Sequence, residues 1–195
     1  MVFANLDFAL VAGGALILSG ANGSGKSSLL RVMAGLTPPF LGKLSWDGAD
    51  IAEDPALHRP RVQFVGHQDA LKPVLTVAET LRFWARVRGG ADDAVPAALA
   101  RFHLDELADW PCRFLSAGQR RRLALARLLA SPAPLWLLDE PTTGLDDASV
   151  ADLTAVIAAH QAGGGIVVLA THTPIALGDP RTLSLTDFAP RRSAA

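Results

Sequence analysis

Gly20-Ala21-Asn22-Gly23-Ser24-Gly25-Lys26-Ser27 has the pattern G-x-x-x-x-G-K-[ST], placed between an apolar run and a helix pattern. Glycines at these positions let successive backbone N–H groups curl around phosphate oxygens at the positive end of a helix. The stretch suits a nucleoside triphosphate, with Ser28 next in the first helical turn. Lys26 would bring a point charge to the β- and γ-phosphates, and the Ser27 hydroxyl would be a ligand of Mg²⁺. A second stretch, "LWLLDE", ends an apolar run in Asp139 and Glu140. One carboxylate at a strand end beside a phosphate loop can hold Mg²⁺, and the next can polarise a water for in-line attack on the γ-phosphate. Two acids after a strand on their own make a turn or a helix cap; the loop upstream is what turns them towards nucleotide chemistry.

A third stretch, "FLSAGQRRRLALARLL", holds Ser116 and Gln119 at capping-box spacing. Such a helix start exposes free N–H groups and the positive end of the dipole to an anion. Helix spacing spreads Arg120, Arg121 and Arg122 around the circumference, so they cannot form one flat patch for nucleic acid. Separate ion pairs, or places along an interface between lobes, are expected for them.

The elements that must position these residues alternate. "LDFAL" has the alternation of a half-buried strand, and "ALILSG" is a short apolar strand ahead of the loop. "SSLLRVMAG" reads as a helix ending at Gly35, "KLSW" as a strand turning at Asp47-Gly48, and "RVQFVG" as the next strand. Strand, loop, helix, strand implies parallel crossover units and an α/β class. From about 70 to 115 the pattern is helical only: Thr76 and Glu79 form a capping box for "VAETLRFWARVR", Gly89-Gly90 stops it, and "AVPAALARFH" follows. The α/β pattern then returns with a helix over 117–130, the strand "PLWLLDE", the helix "DASVADLTAVIAAHQA", the strand "IVVLAT" and a last strand near "TLSL". "PRRSAA" reads as a frayed tail.

With 195 residues, 50% hydrophobic content and a net charge of -1, the chain has core enough for one domain and is no general polyanion binder, so no nucleic-acid partner is expected. The one cysteine, Cys112, excludes an internal disulfide and any multi-cysteine site and is expected to serve packing in a reducing cytosol. No apolar run has the length of a transmembrane helix, and the start lacks the pattern of a signal peptide. A mean hydropathy of +0.27 is high for a domain of this kind and suggests surface covered by a partner.

The order and spacing of the motifs over nearly the whole chain resemble the ATP-binding cassette (ABC) family. Leu115 to Gln119 is similar to its signature Leu-Ser-Gly-Gly-Gln, with Ala117 at the first glycine; Gly144 to Asp146 after "DEPT" resembles its D-loop, His172 its switch histidine and Gln68 its Q-loop. The resemblance implies an α/β fold of the P-loop NTPase, ABC ATPase type. Its single domain, 1–195, would have a RecA-like core with a mostly parallel sheet (1–68 and 116–195) and an inserted helical subdomain (69–115). It implies ATP hydrolysis with ATP and Mg²⁺ as cofactors. ATP would lie on Gly20, Ala21, Asn22, Gly23, Ser24, Gly25, Lys26, Ser27 and Ser28, and the metal would be held by Ser27, Gln68 and Asp139. Glu140 would be the general base, with His172 and Gln68 completing the catalytic set. Ser116, Ala117, Gly118 and Gln119 would meet the γ-phosphate held by the other subunit of a homodimer, with Asp146 in the D-loop. Ala117 adds a methyl but leaves the N–H groups in place. An aromatic residue that stacks on adenine is usual in the family; its position falls before Met1, which implies a shortened N-terminus, and Phe3 is expected to pack in the first strand.

Within the family, "GHQDALKPVLTVAETLRFW", "LSAGQRRRLALARLL" and "GGGIVVLATHTP" are similar to the ATPase subunits of the haem exporter of cytochrome c maturation. His67 before Gln68, the alanine in the signature and the short C-terminus carry that likeness. It implies integral membrane partners of the cytochrome c maturation B and C types and a peripheral place on the cytoplasmic face of the bacterial inner membrane. It also implies haem delivery to a periplasmic chaperone without haem bound by this chain, whose His58, His67, His103 and His160 are scattered. The alternatives are the ATPase subunit of another ABC transporter, a nonhydrolytic nucleotide-dependent binding module, or a soluble cassette protein on DNA or ribosomes.

Overall fold

Residues 135–138 and 166–170 are apolar at every position, which requires cover on both faces of a sheet. In the computed structural model, which describes residues 2–90 and 92–189, both segments are central strands. In chain order the elements are β1 (Ala15–Ser19), α1 (Lys26–Met33), β2 (Ser45–Trp46), β3 (Ala49–Asp50), α2 (Pro55–His58), β4 (Val62–Val65), α3 (Val77–Val87), α4 (Ala94–Arg101), α5 (Ala117–Ala130), β5 (Leu135–Asp139), α6 (Asp147–Ala162), β6 (Ile166–Ala170) and β7 (Arg181–Ser184). Five strands make one parallel sheet in the order β4-β5-β6-β1-β7. β2 and β3 form a separate two-residue antiparallel ladder around the Asp47-Gly48 turn.

Period-two alternation divides the core. Leu16, Leu18, Leu135, Leu137 and Val168 face α1, whose Leu29, Leu30 and Met33 recur at helical spacing. Trp136, Leu138, Val167 and Leu169 face the other way, against Leu123, Leu125 and Leu128 of α5 and Leu153 and Ile157 of α6. α3 and α4 join that second layer through Leu81, Ala85, Val95 and Leu99. Cys112 is buried there, with Sγ 3.3 Å from Thr80 Oγ1. The helices start where side chains cap them: Thr76 with Glu79 for α3, Ser116 with Gln119 for α5, and Asp146 for α6. No helix among the described residues is long and apolar enough to cross a membrane.

The expected first strand, "LDFAL", is a correction. Leu6, Phe8 and Leu10 are half-buried and Asp7 and Ala9 exposed, as the alternation requires, but the segment joins no ladder. Its side chains pack beside Leu44 and Trp46 on the α1 face, the Ala9 carbonyl accepts from the Arg181 guanidinium, and just before the segment the Ala4 N–H donates to Phe188 O. A half-buried edge gives the period of a strand without the partner. Phe3 packs in that layer and in no strand. The "PRRSAA" tail and Met1 lie outside the described residues.

Gly163-Gly164-Gly165 makes room for a ring stack. His160 lies on Trp136 with ring centroids 3.7 Å apart and planes at 4°. A Cβ at Gly165 would stand 2.2 Å from that imidazole. Gly165→Ala must therefore unseat the ring at a cost of about 1–3 kcal/mol, read as a lower Tm. Burial holds the His160 pKa below its ordinary 6.5, so the folded chain favours the neutral ring. The unfolded chain protonates first; the stabilisation is complete above about pH 6.5 and is lost as pH falls through the folded value. Urea unfolding should show a larger acid-side loss in the native chain than in His160→Gln.

Candidate functional site

The carboxyl ends of β1, β5 and β6 meet because Leu18 pairs with Ala170 and Asp139 pairs with Ala170 across adjacent ladders. The chain leaves β1 through Gly20 at φ 135° and enters α1 from Gly25 at φ 104°, conformations that only glycine adopts without strain. A Cβ on Gly25 would also stand 2.8 Å from Val2 Cγ2 and 2.9 Å from Phe3 Cδ1, so the N-terminal segment lies against the loop. Lys26 is almost buried; its Nζ donates to Gly20 O at 2.7 Å and to Ala21 O at 3.2 Å. The charge is folded onto the loop that surrounds it.

Beside the loop is an open cavity of about 490 Å³. Asn22, Gly23, Gly25, Lys26, Ser27 and Ser28 of the loop line it together with Asp139, Glu140, Thr143, His67 and His172. Glu140 has φ 47°, the left-handed region, which costs a non-glycine residue about 1–2 kcal/mol. Its N–H donates to Ala170 O at 2.7 Å, and its carbonyl accepts from Thr143 N–H and the Arg121 guanidinium. The carboxylate accepts the His172 backbone N–H at 3.3 Å on Oε2, and His172 Nε2 lies 3.6 Å from Oε1. The same ring nitrogen is 3.1 Å from Asn22 Oδ1. Glu140, His172 and the phosphate loop are thus joined by direct contacts.

Other expected residues lie elsewhere. Gln68 is exposed and does not line the cavity; His67, one residue earlier, does. Ser24 turns its Oγ inward beneath Gly20. Ser116 to Gln119 are outside the lining: Ser116 Oγ accepts the Gln119 N–H, Gln119 Oε1 accepts the Ser116 N–H, and both side chains are spent on capping. Ala117 is exposed, so its methyl meets no crowding, whereas a Cβ on Gly118 would stand 3.0 Å from Gly144 O. Asp146 also caps α6; the Ser149 hydroxyl and N–H hold its carboxyl below the usual range.

Of the two expectations for the three arginines, separate ion pairs or places along an interface between lobes, the first holds for Arg121 alone among the described residues, while the contacts of Arg121 and Arg122 with the helical stretch 69–115 accord with the second. Arg120 donates to Leu115 O, and Arg122 to Phe102 O and His103 O; among the described residues only Arg121 of the three reaches a carboxylate, Asp69. Carbonyls at element ends are unpaired within their own elements, and the guanidinium fork fits them. His67, Thr143 and Arg121 are among the residues near the site that sequence reasoning missed. Neither type nor spacing marks them; adjacency to Gln68, to the acid pair and to the signature were the available signals.

The donor set suits a hard cation that keeps several waters. Ser27 and Asp139 line the same cavity and supply a hydroxyl and a carboxylate, the oxygen ligands such a cation takes together with phosphate and water oxygens.

The family model for ABC transporters matches residues 3–143, most of the chain. The chain belongs to the ABC transporter family. It carries that family's ATP-binding, ATP-hydrolysing domain on a P-loop α/β fold. It is 58% identical over 193 residues to the cytochrome c biogenesis ATP-binding export protein CcmA of Paramagnetospirillum magneticum, covering 97% of this chain and 89% of that one. It is 54% identical to the protein of the same name from Rhodospirillum rubrum, over 100% of this chain and 83% of that one. Among solved structures, the ABC domain superposes on a dimeric, post-hydrolysis ATP-binding cassette bound to ADP and phosphate, with a TM-score of 0.80 and 27% identity, covering 88% of this chain and 80% of that one.

Ser116→Ala removes the acceptor that starts α5 and should lower unfolding stability by about 1 kcal/mol, measured by denaturant titration.

Proposed function

We propose that this ABC ATPase powers the exporter of cytochrome c biogenesis, with haem as the cargo delivered to a periplasmic chaperone. It would work from the cytoplasmic face of the inner membrane, docked on integral subunits of the cytochrome c maturation B and C types. The names of its relatives support this assignment. One domain, with core 1–68 and 116–195 and helical subdomain 69–115, would do both tasks, the core holding ATP and the subdomain the membrane partner. On the subdomain, Val74, Phe83 and Val87 are exposed beside Lys72 and Arg82, a mixed apolar and basic face suited to docking.

The observation that carries the chemistry is Glu140 at the mouth of the phosphate-loop cavity, held by the His172 backbone. Lys26 would leave the Gly20 and Ala21 carbonyls for the β- and γ-phosphates. Ser27 and Asp139 would hold Mg²⁺, which when bound neutralises phosphate charge. Glu140 would take the proton of a water whose oxygen bonds to the γ-phosphorus as the bond to the β–γ bridging oxygen breaks, leaving ADP and phosphate. His172, freed from Asn22, would donate to the γ-phosphate. The exposed start of α5 would meet that phosphate from a second copy arranged head to tail, with Asp146 of the D-loop and Gln68 between the copies and the membrane partner.

Glu140→Gln should lower kcat by about 10²–10³-fold with ATP binding retained, and should accumulate an ATP-bound dimer in size-exclusion chromatography. Normal turnover in that variant would refute the base. Recovery of the chain with a solute permease, in cells with normal cytochromes c after its deletion, would sink the haem assignment.

A further inference from the structure

Arg121 is the most heavily engaged side chain near the site, and it has no place in the chemistry described so far. It lies in the second turn of α5, three residues after Gly118, and is 4% exposed. A guanidinium has five N–H donors in one plane, and here each has an acceptor. Nε donates to Pro141 O at 3.2 Å; Nη2 donates to Asp139 O at 2.9 Å and Glu140 O at 2.8 Å. Nη1 donates to Gly66 O at 2.9 Å and Asp69 Oδ1 at 3.2 Å.

Two consequences follow from that geometry. Three consecutive carbonyls, 139 to 141, are gathered on one planar group just where the backbone passes through the left-handed conformation of Glu140. Strain of this kind persists only where the surroundings over-determine it. The other edge of the same group holds the residues on both sides of His67 and Gln68, at the start of the segment that leads into the helical region. No lysine or glutamine could make this pattern, since an ammonium has three donors and an amide two.

We propose that Arg121 is a positioning residue for ATP hydrolysis: it fixes the Glu140 backbone and ties it to the Gly66–Asp69 segment, so the carboxylate and that segment move as one unit. The proposal rests on Glu140 being the base. Arg121 is not itself part of the cavity lining and has no hydrogen bond to the phosphate loop; it meets Asp139 and Glu140 only at their backbone carbonyls, so nucleotide binding should depend on it far less than turnover does.

The test compares full-length Arg121→Lys, Arg121→Gln, Glu140→Gln and the double variant Arg121→Gln/Glu140→Gln, measuring kcat, KM, affinity for a fluorescent ATP analogue and Tm. A misplacement of the reacting group by about 1 Å costs roughly 10²-fold, so Arg121→Gln should lose about that factor in kcat, with KM and analogue affinity within about threefold. Arg121→Lys should recover part of the loss. In the double variant the residual rate should equal that of Glu140→Gln alone, because a misplaced amide has no base function left to lose. Full kcat in Arg121→Gln, parallel loss of analogue affinity, or an independent further loss in the double variant would overturn the positioning role. Failure of both Arg121 variants to fold would also overturn it, making the residue a fold determinant. Normal turnover in Glu140→Gln alone would instead remove the base on which the proposal rests.

Discussion

The register of β5 between β4 and β6 is the constraint on which the site depends. Leu138 lies opposite Val65 on one side, and Asp139 opposite Ala170 on the other. A slip by one residue reverses every side chain of a strand. Asp139 would then exchange places with Leu138, and a carboxylate would enter the layer under α5 and α6. Burial on both faces prevents this: Leu135 and Leu137 fit against α1, while Trp136 and Leu138 fit the opposite layer. Because the ladder ends at Asp139, the left-handed turn falls on Glu140, and the two acids leave the strand in different directions.

The second organising feature is positive charge inside the protein. Arg121 and Arg127 both project from α5 and are nearly buried. Arg127 lies 4.1 Å from the Trp84 ring centroid and donates to Phe64 O and Asp69 O. Burial first, and then Arg88 and Arg121, lower its pKa to about 10, which still leaves it charged at neutral pH. Arg121 spends its donors on carbonyls at and beyond the carboxyl ends of β4 and β5 and on the Asp69 carboxylate, and Arg127 bonds carbonyls on the β4 side alone, its Nε without a partner among the described residues. α5 therefore covers an apolar face and also completes the hydrogen bonding of the sheet's end, where the strands have run out of partners.

Much of this was legible in the sequence because the signals are local. The capping pairs Thr76–Glu79 and Ser116–Gln119 set the starts of α3 and α5, and continuous apolar runs marked β1, β5 and β6. The phosphate loop and both acids could be named because their chemistry restricts residue type. α2 escaped notice although Asp54 followed by Pro55 is a cap with proline in the first turn. "LDFAL" misled because half-burial alone produces alternation. His67 rather than Gln68 in the cavity, and the carbonyl partners of Arg121, are matters of tertiary direction, which neighbouring residue types do not encode. The Asn22 contact with His172 spans 150 positions and has no sequence signal of its own.

The capped start of α5 is exposed and lies outside its own chain's cavity. If the reacting site is shared between two copies in the manner proposed above, hydrolysis by the free chain is second order in protein, and dilution alone silences it. A membrane scaffold that holds two copies side by side replaces bulk concentration by a local one, in the millimolar range for short flexible tethers. Unassembled subunits would then waste little ATP, and the fuel would be spent where the export machinery has brought two cassettes together.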